Sequence, residues 1–373
     1  MDREQLESLR RDAKRRDFLV FKMALGQHLS VSETDDLEQI TNKEKARLNE
    51  KCMLLEAPYA HLPPLPPALP DFWHAINTRF EPPEMKFFTW CIDGQRDAME
   101  EYIEAQEGRI GERVLQRGLV SACEGGRADV VRYLLKKGAR VSGRAVEHAC
   151  QRCDLTLFEV FIEHGWNPNQ QIPSLDGGFG VALPHCTRDL RIVQFLLAQG
   201  ADPNLGPFIS WKRSGLGSTP PMDRNSGDAL TRAARNGNIE VIDLLLQHGA
   251  VLEWSTPLHS ALCSWPQNRQ VFVYFLRLGA DPNKDIRYPY GTAWDGGTPL
   301  LWAMRSRNWD AIELLLESGA DPEACNLYPC IARMDTKEKN RDKSLMKAFM
   351  DLMNKVGGKT SIYTHSGDRC PYS

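Results

Sequence analysis

No apolar run in this 373-residue chain approaches the roughly 18 residues that a membrane span needs. The opening, Met1 to Gln5, is too polar for a secretory leader. Charge of one sign is missing too. The 46 Lys and Arg against 49 Asp and Glu leave a net charge of −3, so no overall basic field draws the chain to nucleic acid. The ten cysteines are scattered and form no disulfide framework. In a reducing compartment they are best read as small apolar core residues. No Ser/His/Asp or Cys/His triad stands out. Gly357-Gly358-Lys359-Thr360 lacks the glycine that a phosphate loop requires at the place of Met353, and Gly215-Leu216-Gly217 has no third glycine. These absences predict a soluble intracellular protein, cytoplasmic and possible in the nucleus. They predict no catalytic residues, no cofactor, no resident metal, and no direct contact with nucleic acid or membrane.

What the chain does have is a phrase it rewrites. Leu196-Leu197-Ala198-Gln199-Gly200-Ala201-Asp202-Pro203-Asn204 returns as Phe275-Leu276-Arg277-Leu278-Gly279-Ala280-Asp281-Pro282-Asn283, and again as Leu315 to Pro322. Weaker copies end at Gly138, Gly165 and Gly249. Successive glycines of the phrase, at 138, 165, 200, 249, 279 and 319, lie 27, 35, 49, 30 and 40 residues apart. That is a repeat near 33 residues, stretched at particular places. Each unit reads as a helix pair. In one, Leu230 to Ala234 begins a short first helix, Arg235-Asn236-Gly237-Asn238 turns the chain, and Ile239 to Gln247 is a second helix. Ile239, Ile242, Leu245 and Leu246 fall on one face of it at helical spacing. Glycine supplies the left-handed helix end.

Thr256-Pro257-Leu258-His259-Ser260-Ala261 and Thr298-Pro299-Leu300-Leu301-Trp302-Ala303 each precede an apolar helix and a Gly-Ala-Asp-Pro ending. This combination resembles the ankyrin repeat, whose signature contains Thr-Pro-Leu-His. The stand-alone, divergent members of that family, among them fungal ones, are the ones it resembles. The fold class the resemblance implies is all-α: an ankyrin-repeat solenoid of about seven to eight helix-turn-helix units, with inserted hairpin loops and a helical N-terminal cap. Units are expected at about 83–108, 116–143, 144–171, 179–206, 228–253, 256–283 and 298–323. A charged last unit at about 328–357 suits a capping repeat. Two units depart from the pattern. One reads Gly165-Trp166-Asn167-Pro168-Asn169, and the next opens with Ala182-Leu183-Pro184-His185.

Three domains follow: a helical cap over 1–82 with a Pro-rich linker at 59–70, repeats over 83–357, and a disordered tail at 358–373. In the cap, Glu4 to Ala24 reads as a helix with Leu6, Leu9, Ala13 and Val20 near one face. Asp35 to Leu55 reads as a second, and Asp71 to Ile76 as a short third. Arg10 to Arg16 is a basic run suited to a solvated helix face or to a nuclear import signal.

The family binds partners through hairpin tips and the concave face of the first helices, and the stretches of this chain fall in those tips. The expected partner-binding residues are Phe179 after the second phrase; Phe208, Trp211, Lys212 and Arg213 after the third; and Tyr288, Tyr290 and Trp294 before the last. Long loops carry function, and aromatics and arginine are common interface anchors. The same rings could instead fold back onto the solenoid. His148, Cys150, Cys153, His185 and Cys186 are zinc-ligand types. Repeat register instead places Cys91, Cys123, Cys150 and His185 in the column of Ala234 and Met304, a column of core residues. The resulting expectation is a monomeric, non-catalytic scaffold or adaptor for another protein. A nuclear transcriptional co-regulator and an enzyme-associated regulatory subunit are the alternatives.

Overall fold

The computed structural model describes residues 3–24, 28–70, 79–106, 110–172, 180–207, 222–286 and 297–321. Two compact units divide the described residues, one holding those up to 65 together with Met222 and the other the remaining residues from 66 onward. The expected helix at Asp71 to Ile76, the capping repeat at 328–357 and the tail lie outside the described residues.

In the first unit, α1 (Arg3–Ala24) and α2 (Val31–Glu56) pack together. The start of α2 is set by a capping box. Glu33 N donates to Ser30 Oγ at 3.3 Å, and Ser30 N donates to the Glu33 carboxylate at 3.1 Å. Lys22 reaches that carboxylate at 2.8 Å and, with the Ser30 amide, holds it well below its ordinary pKa, at about 2. Arg16 pairs with Glu44 at 2.7 Å and Arg15 with Asp36 at 3.0 Å, fixing α1 against α2. The buried residue near the end of α1 is Leu19, whereas Val20 is 50% exposed. The Arg16 and Lys22 ion pairs turn the neighbouring face inward.

In the second unit seven helix pairs succeed one another among the described residues. Their first and second helices are Pro82–Asp93 and Arg96–Ala105, Glu112–Gly125 and Ala128–Lys136, and Gly143–Arg152 and Leu155–Glu163. In the fourth, a 3₁₀ turn at Leu183–Cys186 stands where a first helix would be, followed by Leu190–Ala198. The last three are Asp228–Asn236 and Ile239–Gln247, Pro257–Leu262 and Arg269–Arg277, and Pro299–Arg305 and Trp309–Glu317. Each first element packs on the next. No strand occurs among the described residues, only two isolated bridges. The fold is an all-α ankyrin-type stack.

The repeated phrase sets the end of each second helix. Gly138, Gly165, Gly200, Gly249, Gly279 and Gly319 all have φ between +83° and +101°, and the next amide bonds back to the last turn, as Ala201 N does to Leu196 O at 3.0 Å. A side chain at such a φ would be strained. The other end is capped by a side chain in four repeats. Asp154, Asp189, Asn238 and Asn308 each accept amides of the first turn, at 2.9 to 3.4 Å. Within Ile239–Gln247 the fully buried residues are Val241, Ile242 and Leu245. Ile239 and Leu246 lie only half-buried against the core.

The two irregular units have packing reasons. In the third repeat Trp166 sits where the others carry Ala201, Ala250, Ala280 or Ala320. Its ring is 96% buried, with centroids 5.7 Å from Phe158 and 6.1 Å from Phe161. In the fourth, Pro184 sits in the 3₁₀ turn, and this changes the register. The core thiol there is Cys186, fully buried, while His185 is half-buried. The core column therefore runs Cys91, Cys123, Cys150 and Cys186, one residue later than expected in the fourth repeat.

The first repeat is sealed by aromatic packing. Phe87 and Phe88 are buried, Phe80 stacks edgewise on Phe88 at 4.8 Å, and a Cβ on Gly118 would meet Phe87 at 2.7 Å. The Pro-rich stretch read as a linker is anchored at its end. Leu69 is buried, its amide donates to Gln171 O at 2.8 Å, and Gln170 Nε2 donates to Pro67 O at 3.2 Å.

Candidate partner-binding surface

The Asp-Pro-Asn hairpins are built from short-range hydrogen bonds. Asn204 N donates to Asp202 Oδ1 at 2.8 Å, and Asn283 N donates to Asp281 Oδ1 at 2.8 Å. In the irregular third repeat Asn167 takes the aspartate's part, accepting from Asn169 N at 2.9 Å. Each tip asparagine then clamps the next repeat. Asn169 donates to Gly200 O at 2.8 Å and accepts from Asp202 N at 2.8 Å. Asn204 does the same with Gly249 O at 2.9 Å and Val251 N at 3.0 Å. Asn283 repeats it with Gly319 O at 3.1 Å and Asp321 N at 2.6 Å. A carboxamide can satisfy an acceptor and a donor at once, which neither Asp nor Leu can.

All three long insertions follow one of these clamped asparagines. Each also leaves the repeat through a closed neck. Ile172 N donates to Gly180 O at 2.8 Å. Gly206 N donates to Asp223 O at 2.9 Å, and Asp223 N donates to Pro207 O at 3.2 Å. Ile286 and Gly297 exchange both bonds, at 3.2 and 3.0 Å. Neighbouring necks touch, since a Cβ on Gly180 would come within 2.5 Å of Gly206 O. The third neck has an additional prop. His259 is 98% buried and donates Nε2–H to Gly297 O at 2.9 Å, with Trp302 edgewise at 5.2 Å. Burial holds its pKa down to about 4, so the imidazole is neutral.

The expected contact residues Phe179, Phe208, Trp211, Lys212, Arg213, Tyr288, Tyr290 and Trp294 all lie outside the described residues. The described structure covers the necks that carry them. Clamp and neck bonds were not anticipated from the sequence. The signal for them was the tip asparagine itself, present at each stretched repeat and absent at Gly319, where Asp321-Pro322 is followed by Glu323.

Of the ligand-type cluster, His148 stands apart from Cys150, Cys153, His185 and Cys186. Cys150 Sγ and Cys186 Sγ lie 3.6 Å apart in the core, and the contact with the Cys150 thiol, together with burial, pushes the Cys186 thiol up. Burial alone raises Cys91 to about 12. His148 faces away among Arg117, Arg144, Arg152 and Glu124. Burial and those three cations lower its pKa. Among the described residues no three His, Cys, Asp or Glu side chains gather as a metal site, and no helix is long and apolar enough to cross a membrane.

Comparison with known proteins places the repeats in a family. The model described as ankyrin repeats (3 copies) matches residues 186–286, and the single ankyrin repeat model matches residues 295–327. The ankyrin repeat protein nuc-2 of Neurospora crassa is 32% identical over 107 residues, covering 27% of this chain and 9% of that protein. The crystal structure of the ankyrin repeat domain of Bcl-3, a unique member of the IkappaB protein family, aligns at 24% identity with a TM-score of 0.38. That alignment covers 61% of this chain and 96% of the solved one. Residues 186–286 and 295–327 of this chain therefore carry ankyrin repeats.

Proposed function

We propose that this protein is a non-catalytic scaffold or adaptor that holds another protein against its three inserted hairpins and the adjoining first-helix face. Ankyrin repeats form a protein-interaction module, so the open question is where this chain binds its partner. The observation that carries the reading is the coincidence of clamp, neck and insertion. At Asn169, Asn204 and Asn283 the stack is tied to the next repeat, and directly afterwards the chain departs through a hydrogen-bonded neck. A rigid base lowers the ordering cost that a long loop otherwise adds to binding. The nuclear co-regulator reading gains less support, because Arg15 and Arg16 of the basic run are engaged by Asp36 and Glu44.

The test is affinity capture from cell extract with the wild type beside Trp211→Ala and Trp294→Ala. Partners recovered by the wild type should be depleted at least about tenfold with the double variant, as befits aromatic hot spots. Equal yields of the same partners would remove the insertions from the binding surface.

A further inference from the structure

Where repeats 3, 4 and 5 meet, the ends of their first elements and the following turns line a half-open cavity of about 250 Å³. Arg188, Arg232 and Arg235 converge on it with His185 and Asn236, over a floor formed by Cys150 and Cys153, and none of its lining residues is acidic. Arg232 already has a carboxylate, Asp228, at 2.8 Å. The other two guanidinium groups do not. Arg188 touches only the Asn236 carboxamide oxygen, at 3.5 Å, and that carboxamide is turned by its own bond to Thr187 Oγ1 at 3.0 Å. Arg235 is exposed and has no acidic partner among the described residues. Holding such charges together without a counter-ion is unfavourable, and an anion placed among them gains charge-assisted bonds.

The cationic character continues beyond the cavity. Arg117, Arg144 and Arg152 surround His148 on the first helices of repeats 2 and 3, where Glu124 is the facing acid and Glu147 is taken up by Arg144 at 2.7 Å. Over repeats 2 to 5 the second helices lean the other way, with Asp129, Glu159, Glu163, Glu240 and Asp243 against Arg132, Lys136 and Arg191. A single inorganic anion would need the cavity alone. A row of arginines running from repeat 2 to repeat 5 matches an extended ligand with several carboxylates.

We propose that the first-helix face of repeats 2 to 5 binds an Asp- and Glu-rich polypeptide segment, with one of its carboxylates seated between Arg188 and Arg235. This rests on the protein-binding reading above and gives its partner a chemistry.

The test uses the full-length chain and a short fluorescein-labelled peptide rich in Glu and Asp, followed by anisotropy, with the corresponding Gln and Asn peptide as the uncharged probe. Arg188→Gln/Arg235→Gln should weaken binding of the acidic peptide by about tenfold or more, since two charge-assisted contacts are lost. Arg188→Lys/Arg235→Lys should retain part of it. Arg191→Gln/Arg269→Gln, on the second helices, should bind like the wild type. Raising NaCl from about 50 to about 300 mM should weaken binding strongly. Unaltered circular dichroism shows that each variant is folded.

Equal affinity for the uncharged peptide, or wild-type affinity in the Gln double variant, overturns the proposal. So does displacement of the peptide by low-millimolar inorganic phosphate, which would mean a simple anion site. The two readings fail separately. Trp211→Ala/Trp294→Ala variants that keep full partner capture refute the insertions alone, while absent peptide binding with normal partner capture refutes this assignment alone.

Discussion

His259 makes the stability of the stack depend on pH in a calculable way. Its imidazole is buried and neutral, with a pKa near 4 against an ordinary 6.5. Between those values the unfolded chain takes up a proton at this position that the folded chain refuses. The contribution is therefore complete above pH 6.5 and is lost as pH falls toward 4. A shift of about two and a half units corresponds to about 3 kcal/mol at roughly 1.4 kcal/mol per unit. His259→Gln removes the titration while leaving an amide able to donate to Gly297 O. Urea unfolding followed by circular dichroism at pH steps from 7.5 down to 4.5 is the measurement. The wild type should lose stability through this window faster than the variant, with most of the difference accumulating below pH 6. His148, whose pKa is also lowered, titrates in both proteins and cancels in the comparison. Parallel pH profiles would show that His259 is not the buried neutral base described, and would detach it from the third neck.

Two further substitutions probe the stack. Asn204→Ala removes both bonds to repeat 5; with Gly249 open to water, the cost is about 1–2 kcal/mol for two ordinary hydrogen bonds. A denaturation midpoint equal to wild type would mean the clamps contribute nothing. Trp166→Ala restores the residue other repeats carry. Because Phe158 and Phe161 pack on the indole, it should nonetheless destabilise by about 3–5 kcal/mol. A neutral or stabilising outcome in the same urea assay would refute the claim that the third repeat is built around tryptophan.

The repeat class and the limits of most helices were legible from residue order, because they depend on contacts within one turn. Glycine at positive φ ends each second helix, and Asp or Asn caps four of those helices, through bonds spanning a few residues. What the sequence could not indicate is which side chain turns inward when several have similar periodicity. Val241 replaces Ile239 in the core, Leu19 replaces Val20, and Cys186 replaces His185. In each case the choice came from neighbours: the flanking repeats, the cross-helix ion pairs of Arg16 and Lys22, or the Pro184 turn.

Sequence by itself therefore determined that the chain is an array of helix pairs, the glycines that end their second helices, and which three repeats are stretched. The tertiary structure decided what those stretches stand on and which distant residues meet. Asn169, Asn204 and Asn283 reach carbonyls 31, 45 and 36 residues away. Cys150 and Arg235, on different repeats, share one cavity. Such pairings follow from the offset at which one repeat stacks on the next, a quantity fixed by packing the whole core and written in no single stretch of the chain.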